Sequence, residues 1–340
     1  MTTQRQQLRV FGPEDLRRVS IPLETPGDAD VLVRIHACGI CGSDLGYLAK
    51  GGLSGPTGTS LPLGHEFAGT LETVGKAVLN LAPGMRVTIN PDDNGIGGGG
   101  PEGGFSEWVL VRNARRGENV LPIPDHLDFE TAALTEPLSV ALHGVNRAGV
   151  GPGNKVVVLG AGVIGLGVVI GLRRRGVTDI VVVDKQTKRL ATALKLGASA
   201  TINPTEEDLA TRLGELHGRQ SKYGFPMVGS DVFIDAAGAP ALLQQVTNIC
   251  RTRTRIVIIA VYHQPVPIDM VMVMLLEIEI AGSIAYPDNE FSEVIDMLSQ
   301  GQVNTKLLIT HRFNFSQAEQ AFQQARDTSQ ALKVMVNIAP

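Results

Sequence analysis

Two short stretches bring together the side-chain types that bind a borderline-soft cation. Gly39-Ile40-Cys41-Gly42-Ser43-Asp44 supplies a thiol, a hydroxyl and a carboxylate. Gly64-His65-Glu66, about twenty residues later, adds an imidazole and a second carboxylate. Sulfur, nitrogen and oxygen donors in one place suit zinc. Cys41, His65 and Glu66 are the candidate ligands, and Glu136 can approach from the start of a helical run at 136–146. A catalytic zinc keeps three protein ligands and one open position for water or substrate. Asp44 could accept a hydrogen bond from the second nitrogen of His65 and fix its tautomer. Ser43 could carry a proton between a bound alcohol and solvent.

Each residue also has a plainer reading. Cys38 and Cys41 form a C-x-x-C, which could be a redox pair, but no thioredoxin-like helix is expected after it. Cys38 ends a β run and reads as a buried small hydrophobe. His65 alone would be a structural histidine; Cys41 and Glu66 give it weight. Glu136 could be a helix N-terminal carboxylate favoured by the dipole. His143, two turns further on the same face, reads as a packing histidine. His36, His126, His217, His263 and His311 carry no local constellation.

A second constellation is Gly160-Ala161-Gly162-Val163-Ile164-Gly165, which follows the apolar run Lys155–Leu159 and opens an apolar helix. Gly160 permits a tight turn, Gly162 lets backbone approach a pyrophosphate, and Gly165 lets helix and sheet pack closely. The helix N-terminus, at Val163 and Ile164, offers N–H groups and a positive dipole end to phosphates. Asp184 ends the next strand about twenty residues beyond Gly165. An acid there accepts hydrogen bonds from the adenosine ribose and repels a 2′-phosphate, favouring NAD over NADP. Lys185, Lys188 and Arg189 pull the other way, since nearby cations tolerate a phosphate.

These groups need elements to hold them. Val31–Ala37, Glu66–Val74, Arg86–Ile89 and Trp108–Val111 read as strands, with 41–60 and 90–104 as loops. The 90–104 stretch, with Gly97 to Gly100 consecutive, is long for a compact domain and suggests a functional or remodelled loop. This part reads as a small, mostly β domain. Phe129–Val150 has helical spacing, with Leu134, Leu138, Leu142 and Val145 on one face. Apolar strands then follow at Lys155–Leu159, Asp179–Asp184, Asp231–Asp235, Ile256–Ala260 and Glu279–Ser283. Helices alternate with them: one to about Arg175, then Thr187–Leu196 and Leu242–Cys250. That rhythm predicts an α/β fold with a parallel doubly wound sheet. The tail reads helix 290–300, strand 306–310, helix 316–326 and strand 332–338, and returns to the first domain. The expected boundaries are 1–147, 148–287 and 288–340.

Bulk properties narrow the classes. A chain of 340 residues exceeds one ordinary core, so two domains are expected. Hydrophobic residues at 43% and charged residues at 19% are those of a globular protein. Net charge is −4 with no basic patch, so nucleic acid is not an expected partner. Three cysteines do not make a secreted disulfide scaffold and fit a reducing cytosol. Met1–Gln7 has no apolar segment of the signal-peptide kind, and no apolar run is long enough to span a membrane.

With both motifs in hand, the chain resembles the zinc-containing medium-chain dehydrogenase/reductase superfamily, nearest its sorbitol, threonine and butanediol dehydrogenase branch. The likeness rests on Gly39–Asp44, Gly64-His65-Glu66-Phe67-Ala68-Gly69, Pro83–Val87, Gly103–Glu107, Glu136-Pro137-Leu138, Gly160–Gly165 and Lys306–Phe313. The resemblance implies a GroES-like β-rich catalytic domain built from both chain ends. It implies a Rossmann domain inserted between them, with the active site in the cleft. Cys41, His65 and a glutamate, Glu66 or Glu136, would hold the catalytic zinc. Ser43 would be the proton relay, Asp44 the carboxylate behind the ligands, and Arg189 a contact to the adenosine ribose. Relatives are commonly dimers or tetramers.

Two departures stand out. The superfamily's structural zinc is held by four closely spaced cysteines, but Asp92–Gly104 contains none, so one zinc per chain is expected. A relay histidine often stands five residues after the ligand cysteine; here that position is Gly46, with Tyr47 next to it as a pocket residue. The expectation is a cytoplasmic, NAD-dependent oxidoreductase of a secondary alcohol, diol or polyol. The alternatives are a zinc-free quinone or enone reductase of the same fold, or a nucleotide-binding protein without turnover.

Overall fold

The structure, a computed structural model, describes residues 4–301 and 303–339. Met1–Thr3, part of the stretch used above to argue against a signal peptide, lie outside the described residues. Packing divides the chain into two units, Met1–Glu136 with Asp288–Pro340, and Pro137–Pro287.

The first unit is organised on the Val31–Gly39 strand, whose Val31, Val33, Ile35 and Cys38 are fully buried. One edge pairs antiparallel with Glu66–Val74. The other edge is shared: Trp108–Val111 pairs with its first half and Lys333–Asn337 with its last three residues. The sheet runs Ile309–Asn314, Lys333–Asn337, Val31–Gly39, Glu66–Val74, Arg86–Ile89, Val120–Pro122. A smaller sheet joins Asp15–Pro22, Gln4–Gly12 and Leu61–Pro62. Phe67, Phe105 and Phe322 fill the core between these layers, each worth roughly 1.5–3 kcal/mol of burial. Because the tail strand lies beside Val31–Gly39, residues near 40, 66 and 333 meet at one strand end.

The second unit is a Rossmann-type doubly wound sheet. Among the described residues it has six parallel strands. Their order is Ala200–Ile202, Asp179–Val183, Lys155–Leu159, Val232–Asp235, Arg255–Ile258, Glu279–Gly282. The order reverses between Lys155–Leu159 and Val232–Asp235, the switch point at which such sheets take ligands. The central strands are buried on both faces, which is why they read as unbroken Val/Ile/Leu runs. Among the described residues, no helix is long and apolar enough to cross a membrane.

Several expectations are corrected. Residues 41–60 are not all loop, because Gly42–Lys50 is a helix. Cys41 is its N-cap in extended backbone, Asp44 closes a capping box from the N3 position, and Gly51 ends it in the left-handed region. A helix therefore does follow the C-x-x-C, contrary to the expectation that none would. What sets a redox pair aside is Cys38 itself, fully buried, its thiol held well above the usual range by burial and by Asp44 and Glu66. The run 129–150 breaks into Phe129–Ala133 and Thr135–Ala148. Pro137 has no N–H for the Ala133 carbonyl, which favours a break ahead of it and suits its place in the first turn of the second helix. The strand expected at 306–310 starts only at Ile309 and runs to Asn314, after a 3-10 turn at Thr305–Leu307.

Candidate functional site

Two loops of the first unit converge on one carboxylate. Asp44 is fully buried; its Oδ2 accepts from the Cys41 N–H at 2.9 Å and its Oδ1 from the Gly64 N–H at 3.1 Å. Its Oδ1 also lies 3.8 Å from His65 Nδ1. One side chain thus fixes the backbone before each candidate ligand loop and stands behind the imidazole. Donor atoms of Cys41, His65 and Glu66 lie within 4.8 Å of one another.

Glu66 is held from the chain's other end. It is 1% exposed, and Lys333, 3% exposed, donates to Glu66 Oε1 at 2.7 Å, to Oε2, and to the Ile40 carbonyl at 2.9 Å. The strand register sets Gly39 opposite Glu66, and a Cβ at Gly39 would overlap the Glu66 carboxylate. Burial alone lowers the Lys333 ammonium, but Glu66 and Cys41 override it and the net shift is upward. Sequence reasoning missed Lys333. The available signal was a lysine inside the apolar run Ala331–Val336.

The local field favours a cation. Burial alone disfavours a charged His65, yet Asp44, Cys41 and Glu136 drive its pKa well up. Glu136 stands in the first turn of Thr135–Ala148 and outside the 4.8 Å group. Burial, opposed by His65 and reinforced by Glu66, pushes its pKa up to about 7. The neighbouring Tyr47 phenol is raised, by burial first, with His65 opposing the shift. Zinc fits this donor set. A tetrahedral zinc spaces sulfur, nitrogen and oxygen ligands by about 3.5 Å, inside the 4.8 Å that bounds this group. An environment that favours a proton on His65 also favours a metal cation beside it.

In the second unit the glycine loop takes the predicted shape. Gly160 has φ +93°, Gly162 caps Val163–Arg174 from extended backbone, and a Cβ at Gly165 would overlap the Gly160 carbonyl. Asp184 accepts from the Ala161 N–H at 2.7 Å and the Gln186 N–H at 2.8 Å, tying this loop to the next strand's end. The Arg189 guanidinium lies 3.8 Å from where a Gly162 Cβ would stand. Across the switch point, Asp235 accepts from the Ala237 and Gly238 N–H groups and from the Tyr262 hydroxyl. Neither Asp235 nor Tyr262 carried a sequence signal. His217 joins Ser230 to Asp179 as a hydrolase triad might be drawn, but Ser230 is fully buried and the set is structural.

Residues 27–125 match the alcohol dehydrogenase GroES-like domain, and residues 163–300 match the zinc-binding dehydrogenase domain. Human sorbitol dehydrogenase is 32% identical, the match covering 98% of this chain and 96% of that one. Among solved structures, 2R,3R-butanediol dehydrogenase of Bacillus subtilis is 27% identical with a TM-score of 0.85, covering 98% and 99% of the two chains. A solved Sinorhizobium meliloti 1021 structure, bound to NADP, is 28% identical with a TM-score of 0.85, covering 99% and 100%. The chain belongs to the zinc-containing medium-chain dehydrogenase/reductase superfamily. Within it, this protein is an alcohol dehydrogenase acting on CH–OH donors with a nicotinamide cofactor.

The Lys333–Glu66 pair is a test of the geometry. Lys333→Met is expected to cost about 3–5 kcal/mol, because Glu66 stays buried without its counter-ion. Adding Glu66→Gln should recover most of that loss in urea unfolding. Simple additivity of the two substitutions would show that the side chains do not depend on one another.

Proposed function

We propose that Cys41, His65 and Glu66 hold a single catalytic zinc, with Glu136 as the alternative carboxylate, and that the substrate is a secondary alcohol, vicinal diol or polyol, or the matching ketone. The observation that carries this reading is the sulfur, nitrogen and oxygen group within 4.8 Å. The sorbitol and butanediol dehydrogenase relatives support the substrate class. No cysteine occurs in Asp92–Gly104, which supports one zinc per chain.

Zinc supplies Lewis acidity that lowers the pKa of a substrate hydroxyl. The chain's own groups do the rest. Asp44 holds both ligand loops and orients His65. Lys333 balances Glu66 where water cannot. Ser43 takes up the hydroxyl proton as it gives its own to the Tyr47 oxygen, and Tyr47 in turn releases its phenolic proton to solvent. That route replaces the histidine missing at Gly46. Gly160–Gly165 and the Val163–Arg174 helix N-terminus receive the cofactor pyrophosphate. Each Asp184 oxygen keeps lone-pair capacity beyond its backbone bonds, enough to accept ribose hydroxyls, which favours NAD. Arg189 stands close by, and a relative holds NADP, so the two cofactors need direct comparison.

Exposed Met270, Val271, Met274 and Ile284 lie in sequence around the edge strand Glu279–Gly282 and support assembly as a homodimer or homotetramer. Cys38, Cys41 and Cys250 are all free thiols, which supports a cytoplasmic location.

Zinc content near one per chain is expected, with Cys41→Ser and His65→Ala losing the metal and at least about a hundredfold in kcat. Wild-type rates in either variant would sink the zinc mechanism. For the relay, Tyr47→Phe should lower alcohol oxidation about tenfold or more near pH 7 and recover above pH 9, where hydroxide takes the proton. A uniform loss at every pH would remove Tyr47 from the proton path.

A further inference from the structure

The glycine-rich segment at 95–104 is not a slack loop. It sits backbone against backbone on Leu63-Gly64, the two residues in front of His65. The Gly104 N–H donates to the Gly64 carbonyl at 2.7 Å, and the Phe105 N–H donates to the Leu63 carbonyl at 3.1 Å. Gly97, at φ +66°, lies so close that a Cβ there would overlap the Gly64 carbonyl and stand 2.9 Å from its nitrogen. Gly64 is therefore gripped twice. Asp44 takes its N–H, and this segment takes its C=O.

The segment has its own anchor. The Gly97 N–H donates to the Glu102 carbonyl at 2.8 Å. The Glu102 carboxylate accepts two bonds from Arg5, at 2.6 and 2.7 Å, and the two side chains are 4% and 3% exposed. Arg5 belongs to the Gln4–Gly12 strand, whose Leu8 N–H bonds the Phe105 carbonyl at 2.9 Å. A bidentate, buried ion pair has one geometry and resists displacement. Rigid connections run from that pair through residues 97–105 to Gly64 and so to the backbone of His65.

We infer that residues 95–104, anchored by Arg5 and Glu102, form a clasp that positions His65 and so sets the affinity of the Cys41–His65–Glu66 group for its metal. Gly97 and Glu102 are positioning residues; neither is offered as a ligand. The clasp rests on the zinc reading above. It also gives Gly97 and Gly103 a reason to be glycine, since a Cβ at either would overlap the backbone of Leu63-Gly64.

The test uses the full-length chain, stripped of metal and titrated with zinc against a chromophoric chelator, at a temperature where every variant is folded by circular dichroism. Gly97→Ala and the milder Glu102→Gln should weaken zinc binding about 10–100-fold, the range for groups that orient ligands. With cobalt(II) in place of zinc, both should shift the visible bands. Leu213→Ala, a fully buried position of the other unit, controls for general destabilisation and should lower Tm while keeping wild-type zinc affinity. Wild-type affinity and spectrum in Gly97→Ala and Glu102→Gln would overturn the clasp. So would an equal loss of zinc in Leu213→Ala. Failure of the wild type to bind zinc, or full zinc affinity in Cys41→Ser, would instead overturn the metal reading and the clasp with it.

Discussion

The proposed metal centre depends on one buried carboxylate that is not counted among its ligands. Asp44 is fully enclosed, and an enclosed charge is costly unless its oxygens are bonded. It meets that demand with the N–H groups of Cys41 and Gly64, twenty residues apart. The two loops are therefore drawn together by the carboxylate's need for partners. Burial pulls Asp44 toward its neutral form, while His65 and the two N–H groups oppose it, the net shift being upward. A metal beside His65 would add a positive charge in the direction that favours the carboxylate.

A second constraint is electrical balance. Glu66 and Asp44 bring negative charge to a place with little solvent, and Lys333 is the fixed cation that answers it. The lysine is available because the chain's last strand, Lys333–Asn337, returns to pair with Val31–Gly39. The return also explains why Gly39 carries no side chain, as the Glu66 carboxylate occupies that volume. Strand pairing, glycine placement and charge balance are thus one arrangement, built from residues at both ends of the sequence.

What could be read in the sequence follows from this. The parallel strands were legible because burial on both faces leaves apolar runs, as in Lys155–Leu159 and Asp179–Val183. Gly160–Gly165 was legible because a close approach admits only glycine. The Gly42–Lys50 helix was not, since Gly42 and Gly46 are poor helix formers and its cap is a cysteine assisted by Asp44. Lys333 was hidden by distance, 267 residues from Glu66. The clasp at 95–104 was hidden because a glycine run has no periodicity, and only its neighbours show that it is packed. The Arg219–Lys222 and Phe225–Val228 hairpin went unread for a related reason. Its first strand is polar, its second holds Pro226, and its turn is Tyr223-Gly224, both at positive φ.

Cys41, His65 and a carboxylate gathered behind Asp44 are proposed to bind zinc. X-ray absorption at the zinc edge of the purified chain tests it most directly. One sulfur at about 2.3 Å is expected, with nitrogen and oxygen neighbours at about 2.0–2.2 Å, the sulfur shell vanishing in Cys41→Ser. A zinc surrounded only by nitrogen and oxygen, or a sulfur shell that survives Cys41→Ser, would contradict it.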